Sequence, residues 1–283
     1  MRFKLTLQIQ PEVMGNELPI NYQFPLQAAI YKTLANSDAE FATWLHENGY
    51  QQDGKRFKLF TFSNLKVPQY GIGKERERLE IKSDYVTLLI SFLPEKSTQK
   101  FIEGIFNNRT IQIADHLSGV QFVVREIQVM SPLNYKPDMV FRTLSPICIS
   151  LRNKRGHMDY LAPNDSRYEL GLLTGLLARY NAIHGEPFSG DFYCHLQLLS
   201  PLRTASMISV SVRAFILFIR FYTLYDKFSK IYRTFQNFFS IRLQINDFFV
   251  YWHRTSVKSE KVITGWFGKL LPGVVRPLIC INQ

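Results

Sequence analysis

The chain has 283 residues, 46% of them hydrophobic and 20% charged, which supplies enough apolar material for real cores and excludes a disordered tail. Its formal net charge of +11 points to a polyanionic partner, nucleic acid first and an anionic membrane surface second, and residues 198–283 alone carry 12 Lys and Arg against 3 Asp and Glu. Cys148, Cys194 and Cys280 are odd in number, far apart and without a CxxC pair, so they read as reduced thiols of an intracellular protein rather than a disulfide frame or zinc site.

The first element is a strand, Arg2 to Ile9, in which Phe3, Leu5, Leu7 and Ile9 alternate with polar residues. An N-terminus with this alternation has no signal-peptide apolar core. Helical spacing of Leu26, Ala29, Ile30 and Thr33 predicts a helix over Tyr22 to Leu34. Asn36-Ser37-Asp38 then breaks it and caps a second helical segment with Phe41, Trp44 and Leu45 as its apolar face and Gly49 at its end. Arg56 to Ser63, Lys66 to Tyr70 and Glu80 to Ile90 follow as strands, the last two joined by a charged turn from Gly71 to Arg78. That turn lacks phosphate-loop spacing and reads as a solvated hairpin. An amphipathic helix from Glu95 to Phe106 and strands near Arg109 to Ile113 and Val120 to Met130 complete the ferredoxin-like order of a first domain, residues 1–134.

A second domain, residues 138–283, repeats these kinds of element. Met139 to Leu151 is strand-like, and Arg152, Lys154 and Arg155 form a basic hairpin tip. Ser166 to Ile183 is a helix with Leu170, Leu173, Leu177 and Tyr180 on one face, and Asp191 to Leu199 is a strand. Ile208 to Phe239 is aromatic but punctuated by Arg213, Arg220, Lys227, Lys230 and Arg233. Its longest apolar run, Ala214 to Ile219, falls short of the ~20 residues a bilayer requires, and a buried or interfacial helix is the expectation.

Three side chains in residues 25–63 suit one reaction. RNA is cut by its own 2′-hydroxyl when a base removes that proton, a cation stabilises the phosphate and an acid protonates the leaving 5′-oxygen. His46 brings an imidazole, Tyr31 a phenol able to assist as acid or base, and Lys58 an ammonium suited to a phosphate oxygen. By residue type alone, each also has a structural reading: a helix-end histidine, a core tyrosine, a solvated lysine.

The stretches LPINYQFPLQAAIYKTL, ATWLHENGY, FKLFTFS, TLSPICIS and LLSPLRT, in this order over residues 1–204, resemble the CRISPR-associated repeat-specific endoribonucleases of the RAMP superfamily. The resemblance implies an α+β fold of tandem ferredoxin-like (RRM-like) domains. It implies metal-independent cleavage of precursor CRISPR RNA within its repeats, leaving 2′,3′-cyclic phosphate and 5′-hydroxyl ends. Tyr31, His46 and Lys58 fall on the family's active-site positions, with Lys55 as an alternative lysine, and neither a cofactor nor a metal is implied. Arg152, Lys154, Arg155, Arg203, Arg213 and Arg220 are the further candidates for binding RNA. The implied partners are CRISPR repeat RNA and other CRISPR effector-complex proteins, the implied location is the cytoplasm without stable membrane association, and the implied state is a monomer or homodimer. One departure is clear: the family's GxGxxxxxGFG loop has no counterpart after Leu198, where the chain offers only Thr264 to Gly268 and Pro272-Gly273. The second domain therefore reads as divergent after about residue 204. A non-cleaving RNA-binding protein of the same fold, or an inactive gene remnant, is the alternative reading.

Overall fold

A computed structural model of the chain describes residues 1–73, 78–131, 138–142, 148–188, 192–196, 203–207, 210–216, 218–223 and 280–282. It comprises two compact units, Met1–Leu133 and Asn134–Gln283.

In the first unit the order is β1 (Arg2–Ile9), α1 (Pro11–Met14), β2 (Glu17–Pro19), α2 (Gln23–Ala35), α3 (Ala39–Glu47), β3 (Tyr50–Gln52), β4 (Lys55–Phe57) and β5 (Phe60–Phe62). It continues with β6 (Tyr70–Gly73), β7 (Arg78–Ile81), β8 (Tyr85–Phe92), α4 (Glu95–Asn107), β9 (Thr110–Ala114) and β10 (Gly119–Val129). The main sheet is antiparallel in the order β5-β8-β1-β10-β9. Without its outer strand β9 this is the ferredoxin-like arrangement, with β1 at the centre and β5 at one edge. The alternation in β1 is what sends it there: Phe3, Leu5, Leu7 and Ile9 are buried while their neighbours are half-buried. Each such buried apolar side chain contributes about 1.5–3 kcal/mol.

The helices cover the face to which Val86, Leu88, Ile90 and Phe92 of β8 also point. Asp38 caps α3 as its sequence suggests, its carboxylate accepting from the Phe41 amide at 2.8 Å. α2 and α4 approach so closely at Gly104 that a Cβ there would lie 1.9 Å from the Thr33 carbonyl oxygen, so only glycine fits. Away from the main sheet, β2, β7 and β6 form a small three-stranded sheet and β3 and β4 a hairpin. β6 and β7 pair from Tyr70 with Ile81 to Gly73 with Arg78, and residues 74–77 of the expected charged turn lie outside the described residues.

The second unit contains β11 (Asp138–Arg142), β12 (Cys148–Arg152), β13 (Met158–Leu161), α5 (Tyr168–His184), β14 (Phe192–Leu196), β15 (Arg203–Met207), β16 (Val210–Ile216), β17 (Phe218–Thr223) and β18 (Cys280–Asn282). Three sheets are drawn from them: β11-β17-β14, β13-β12-β18 and the hairpin β15-β16. Among the described residues no helix is long and apolar enough to cross a membrane.

Several continuous runs in the sequence are divided in space. Arg56 to Ser63 is not one strand, because Leu59 takes a left-handed φ of 53° and the chain leaves the β3–β4 hairpin there to join the main sheet as β5. Glu80 to Ile90 is split between β7 and β8, which lie in different sheets, and Lys66 makes only an isolated bridge to Thr87 before β6 begins at Tyr70. Met139 to Leu151 supplies both β11 and β12, again in different sheets. Trp44 is 37% exposed and the core position of α3 is taken by Ala42.

α5 buries Tyr168, Gly171, Leu172, Gly175 and Leu176; of the expected face Tyr180 is buried, Leu173 and Leu177 are half-buried and Leu170 is 64% exposed. At Gly171 a Cβ would lie 2.7 Å from Cγ2 of Ile149 on β12, so the glycine there lets this helix lie close to its sheet. The described part of Ile208 to Phe239 is extended, not helical, in keeping with its β-branched and aromatic content. Lys227, Lys230 and Arg233 lie outside the described residues.

Candidate active site

Tyr31 sits on α2 two turns beyond the first turn of that helix, on the side that meets β5. Its ring packs edge-on against Phe60 with centroids 5.5 Å apart, and edge-on against the imidazole of His46 at 5.0 Å. His46 is exposed in the last turn of α3. Lys58 occupies the two-residue link between β4 and β5, and its Nζ donates a 2.5 Å hydrogen bond to the carbonyl oxygen of His46. Arg56 donates in the same way to the Glu47 carbonyl at 3.1 Å. The last carbonyls of a helix have no partner within it and carry its negative dipole end, so two cations gather there for a local electrostatic reason. The phenol, the imidazole and the ammonium that sequence reading singles out thus converge on the end of α3.

Burial sets the chemistry of the first and third groups. The Tyr31 hydroxyl is enclosed and makes no hydrogen bond of ordinary geometry. Its pKa is pushed up to about 12, burial outweighing a small opposing effect of the Gln27 side chain. At neutral pH it is a protonated phenol that donates rather than a phenolate that accepts. The Lys58 ammonium is held below the usual lysine range, first by burial and then by the nearby charge of Arg56. Among the described residues no cluster of three or more His, Cys, Asp or Glu side chains is placed to hold a metal ion.

Lys55 opens β4 opposite Gln52 in the β3–β4 hairpin, and it is Lys58 that reaches the His46 carbonyl. In the second unit Arg152, Lys154 and Arg155 are exposed at the β12–β13 hairpin. That turn is built by Asn153, whose Oδ1 accepts from the amides of Arg155 and His157 at 3.0 Å each. Arg203 and Arg213 fall on the paired strands β15 and β16, opposite Ile216 and Ser206 respectively. Arg220 lies on β17 between Val140 of β11 and His195 of β14. The structure therefore groups the first three, pairs the next two on one hairpin and puts Arg220 in a separate sheet.

Two positions that hold the corner together are not among the sequence candidates as reagents. Gly49 has φ 65°, and a Cβ there would stand 2.6 Å from the Phe57 carbonyl oxygen and 3.2 Å from Cδ of Lys58. Its signal was the helix-ending glycine, which reveals the stop but not the neighbours. Leu59, the left-handed residue that turns the chain between Lys58 and β5, carries no sequence signal, because leucine is an unfavourable choice there.

Comparison with known proteins places these residues in context. The model of the N-terminal part of CRISPR-associated protein Cas6 matches residues 17–128, and that of its C-terminal part matches residues 129–271, including most of the aromatic and basic stretch after residue 204. A protein of Methanocaldococcus jannaschii named CRISPR-associated endoribonuclease Cas6 1 is 28% identical over 206 residues, 72% of this chain and 74% of that protein. The solved structure of a Cas6-related protein from Pyrococcus furiosus superposes with a TM-score of 0.62 at 23% identity, covering 87% of this chain and 96% of that one. A solved RAMP protein described as binding different RNA substrates gives 0.61 at 21% identity, covering 81% and 90%. These likenesses give the fold as α+β with tandem ferredoxin-like units.

Proposed function

The chain belongs to the CRISPR-associated Cas6 family, and from that premise we propose that it is an endoribonuclease that cuts precursor CRISPR RNA within its repeats. The observation that carries the reading is the meeting of Tyr31, His46 and Lys58 at the end of α3. Together they supply a base, a proton donor and a cation, the three things transesterification by the 2′-hydroxyl requires, and no step calls for a metal ion.

The roles follow from their surroundings. Tyr31 keeps its proton, so it donates, either to the leaving 5′-oxygen or to a phosphate oxygen as charge builds. His46 is exposed beside it and is the group left to take the 2′-hydroxyl proton. Lys58 faces the phosphate as a positive point charge whose ammonium is held in place by the His46 carbonyl at the end of α3. The oxygen of the 2′-hydroxyl attacks phosphorus as its proton passes to the imidazole. The bond to the 5′-oxygen breaks, and that oxygen receives the phenol proton of Tyr31, directly or by way of a phosphate oxygen, leaving a 2′,3′-cyclic phosphate, a 5′-hydroxyl, and a phenolate and imidazolium that proton transfer returns to their starting forms. The exposed Arg152, Lys154 and Arg155 hairpin fits the role of gripping phosphates in the second unit, with positioning rather than chemistry as its contribution.

The deciding experiment incubates the protein with CRISPR repeat RNAs of its own genome, in EDTA and in magnesium, and maps the product ends. Cleavage in both, cyclic phosphate ends, and loss of cutting but not of binding in His46→Ala are expected. A magnesium requirement would refute the mechanism, and intact RNA recovered from a tight complex with the unaltered protein would make it a non-cleaving binder.

A further inference from the structure

Beside the catalytic corner runs a stripe that the chemistry does not use. α2 lies along the edge strand β5 and the residues just after it. Tyr31 packs on Phe60, the Gln23 amide donates to Asn64 Oδ1 at 2.8 Å, and the Tyr22 hydroxyl accepts from the Leu65 amide at 2.9 Å. Eight helical residues from Gln23 to Tyr31 span about 12 Å, and four extended ones from Phe60 to Asn64 about 13 Å, so the two run in step. Halfway along, Gln27 comes level with Phe62, which is half-buried and stacked on Phe60 at 6.4 Å. One turn before Gln27 stands Phe24, 50% exposed on the same side of the helix.

The stripe contains aromatic rings and side-chain amides and no charged group, while the cations Lys58 and Arg56 gather at its far end on the α3 terminus. That division matches a single RNA strand, whose phosphates seek cations and whose splayed bases seek aromatic faces and amide donors and acceptors. Continuity with the cleavage corner identifies the occupant. We propose that the α2–β5 stripe holds the bases next to the cut in single-stranded form, with Phe24 as a stacking platform and Gln27 reading a base edge. It rests on the reading of the corner as an RNA-cleaving site and adds where the flanking bases go.

The test is a scan of synthetic repeat RNA from the same genome, one abasic nucleotide at a time, read as binding in the His46→Ala background so that chemistry does not enter. One position flanking the scissile phosphate is expected to lose about ten-fold in affinity when abasic, the scale of one stacked base. Phe24→Ala binds the intact repeat weaker by a similar factor and is indifferent to the abasic change at that position, and Phe24→Trp restores both. Phe24 is half in solvent, so its replacement leaves folding intact, which thermal unfolding checks. Equal abasic penalties in the Phe24→Ala and Phe24 proteins, or unchanged binding by Phe24→Ala, would overturn the proposal. Failure of the cleavage reading shows itself separately, as undiminished cutting by the His46→Ala protein.

Discussion

Replacing Gly49 with alanine isolates the geometry on which the corner depends. Two costs add. A residue with a Cβ pays roughly 1–2 kcal/mol to sit in the left-handed region. The new methyl, 2.6 Å from a backbone carbonyl that cannot rotate away, forces a shift of the α3 end against β4 of the kind that costs about 1–3 kcal/mol in packed interiors. Gly54 in the neighbouring β3–β4 turn is the internal control: its φ is 72° and nothing lies within 4 Å of where a Cβ would be, so Gly54→Ala pays the backbone cost alone. Gly49→Ala is therefore expected to be about 2 kcal/mol less stable than Gly54→Ala, a gap of several degrees in melting temperature. Because the intruding methyl also meets the Lys58 stem, the cleavage rate should fall by about 10²-fold with RNA affinity little changed, as a displacement of about 1 Å at a catalytic group predicts. Thermal unfolding with single-turnover cleavage measures both. Equal stabilities of the two alanine variants, or a destabilised Gly49→Ala that cuts at the normal rate, would refute the reasoning.

Tyr31→Phe removes a buried hydroxyl whose contact with the Gln27 side chain falls short of good hydrogen-bond geometry, so stability at neutral pH is expected to change little while cleavage drops by about 10²-fold or more. The sign at high pH follows from the raised pKa: the protonated phenol favours the fold fully below pH 10, and that contribution, about 2 kcal/mol, disappears between pH 10 and about 12, a loss the phenylalanine variant lacks in alkaline melting curves. Arg78 is 6% exposed and paired with Asp115 at 2.6 Å, and Asp115→Ala leaves that charge buried alone, so a loss of about 3–5 kcal/mol is expected in urea titrations.

What could be read from the sequence depended on how local the cause was. β1, α2, α3 and α4 answer to periodicity and caps within their own residues, and Asp38 does in the structure what an aspartate before a helix does in general. Strand breaks were illegible because they depend on partners far away. Nothing in Arg56 to Ser63 says that Phe57 will pair with Tyr50 and Phe60 with Phe92, yet that divergence is what turns the chain at Leu59. The α5 face is hidden for a related reason: leucines advertise burial, whereas the contact is decided at Gly171, whose missing side chain admits Ile149 of the neighbouring sheet. Tyr31, His46 and Lys58 were legible as candidates through resemblance, and only the fold brings the three side chains together.

The turn at Lys58 and Leu59 explains why the corner lies at the sheet edge. Had Arg56 to Ser63 run straight, alternation would have set Lys58 on the same face as Phe60 and Phe62, under α2, where an ammonium has no partner. By leaving one sheet for another the chain frees Lys58 from that alternation. The ammonium swings to the α3 carbonyls, while Phe60 is set beneath Tyr31 and fixes the phenol beside the imidazole. A left-handed leucine costs of order 1–3 kcal/mol, and such strain concentrates at functional sites. Here the strained residue separates the lysine from the strand that supports the tyrosine, so the same two-residue link places a cation and a proton donor beside one helix end.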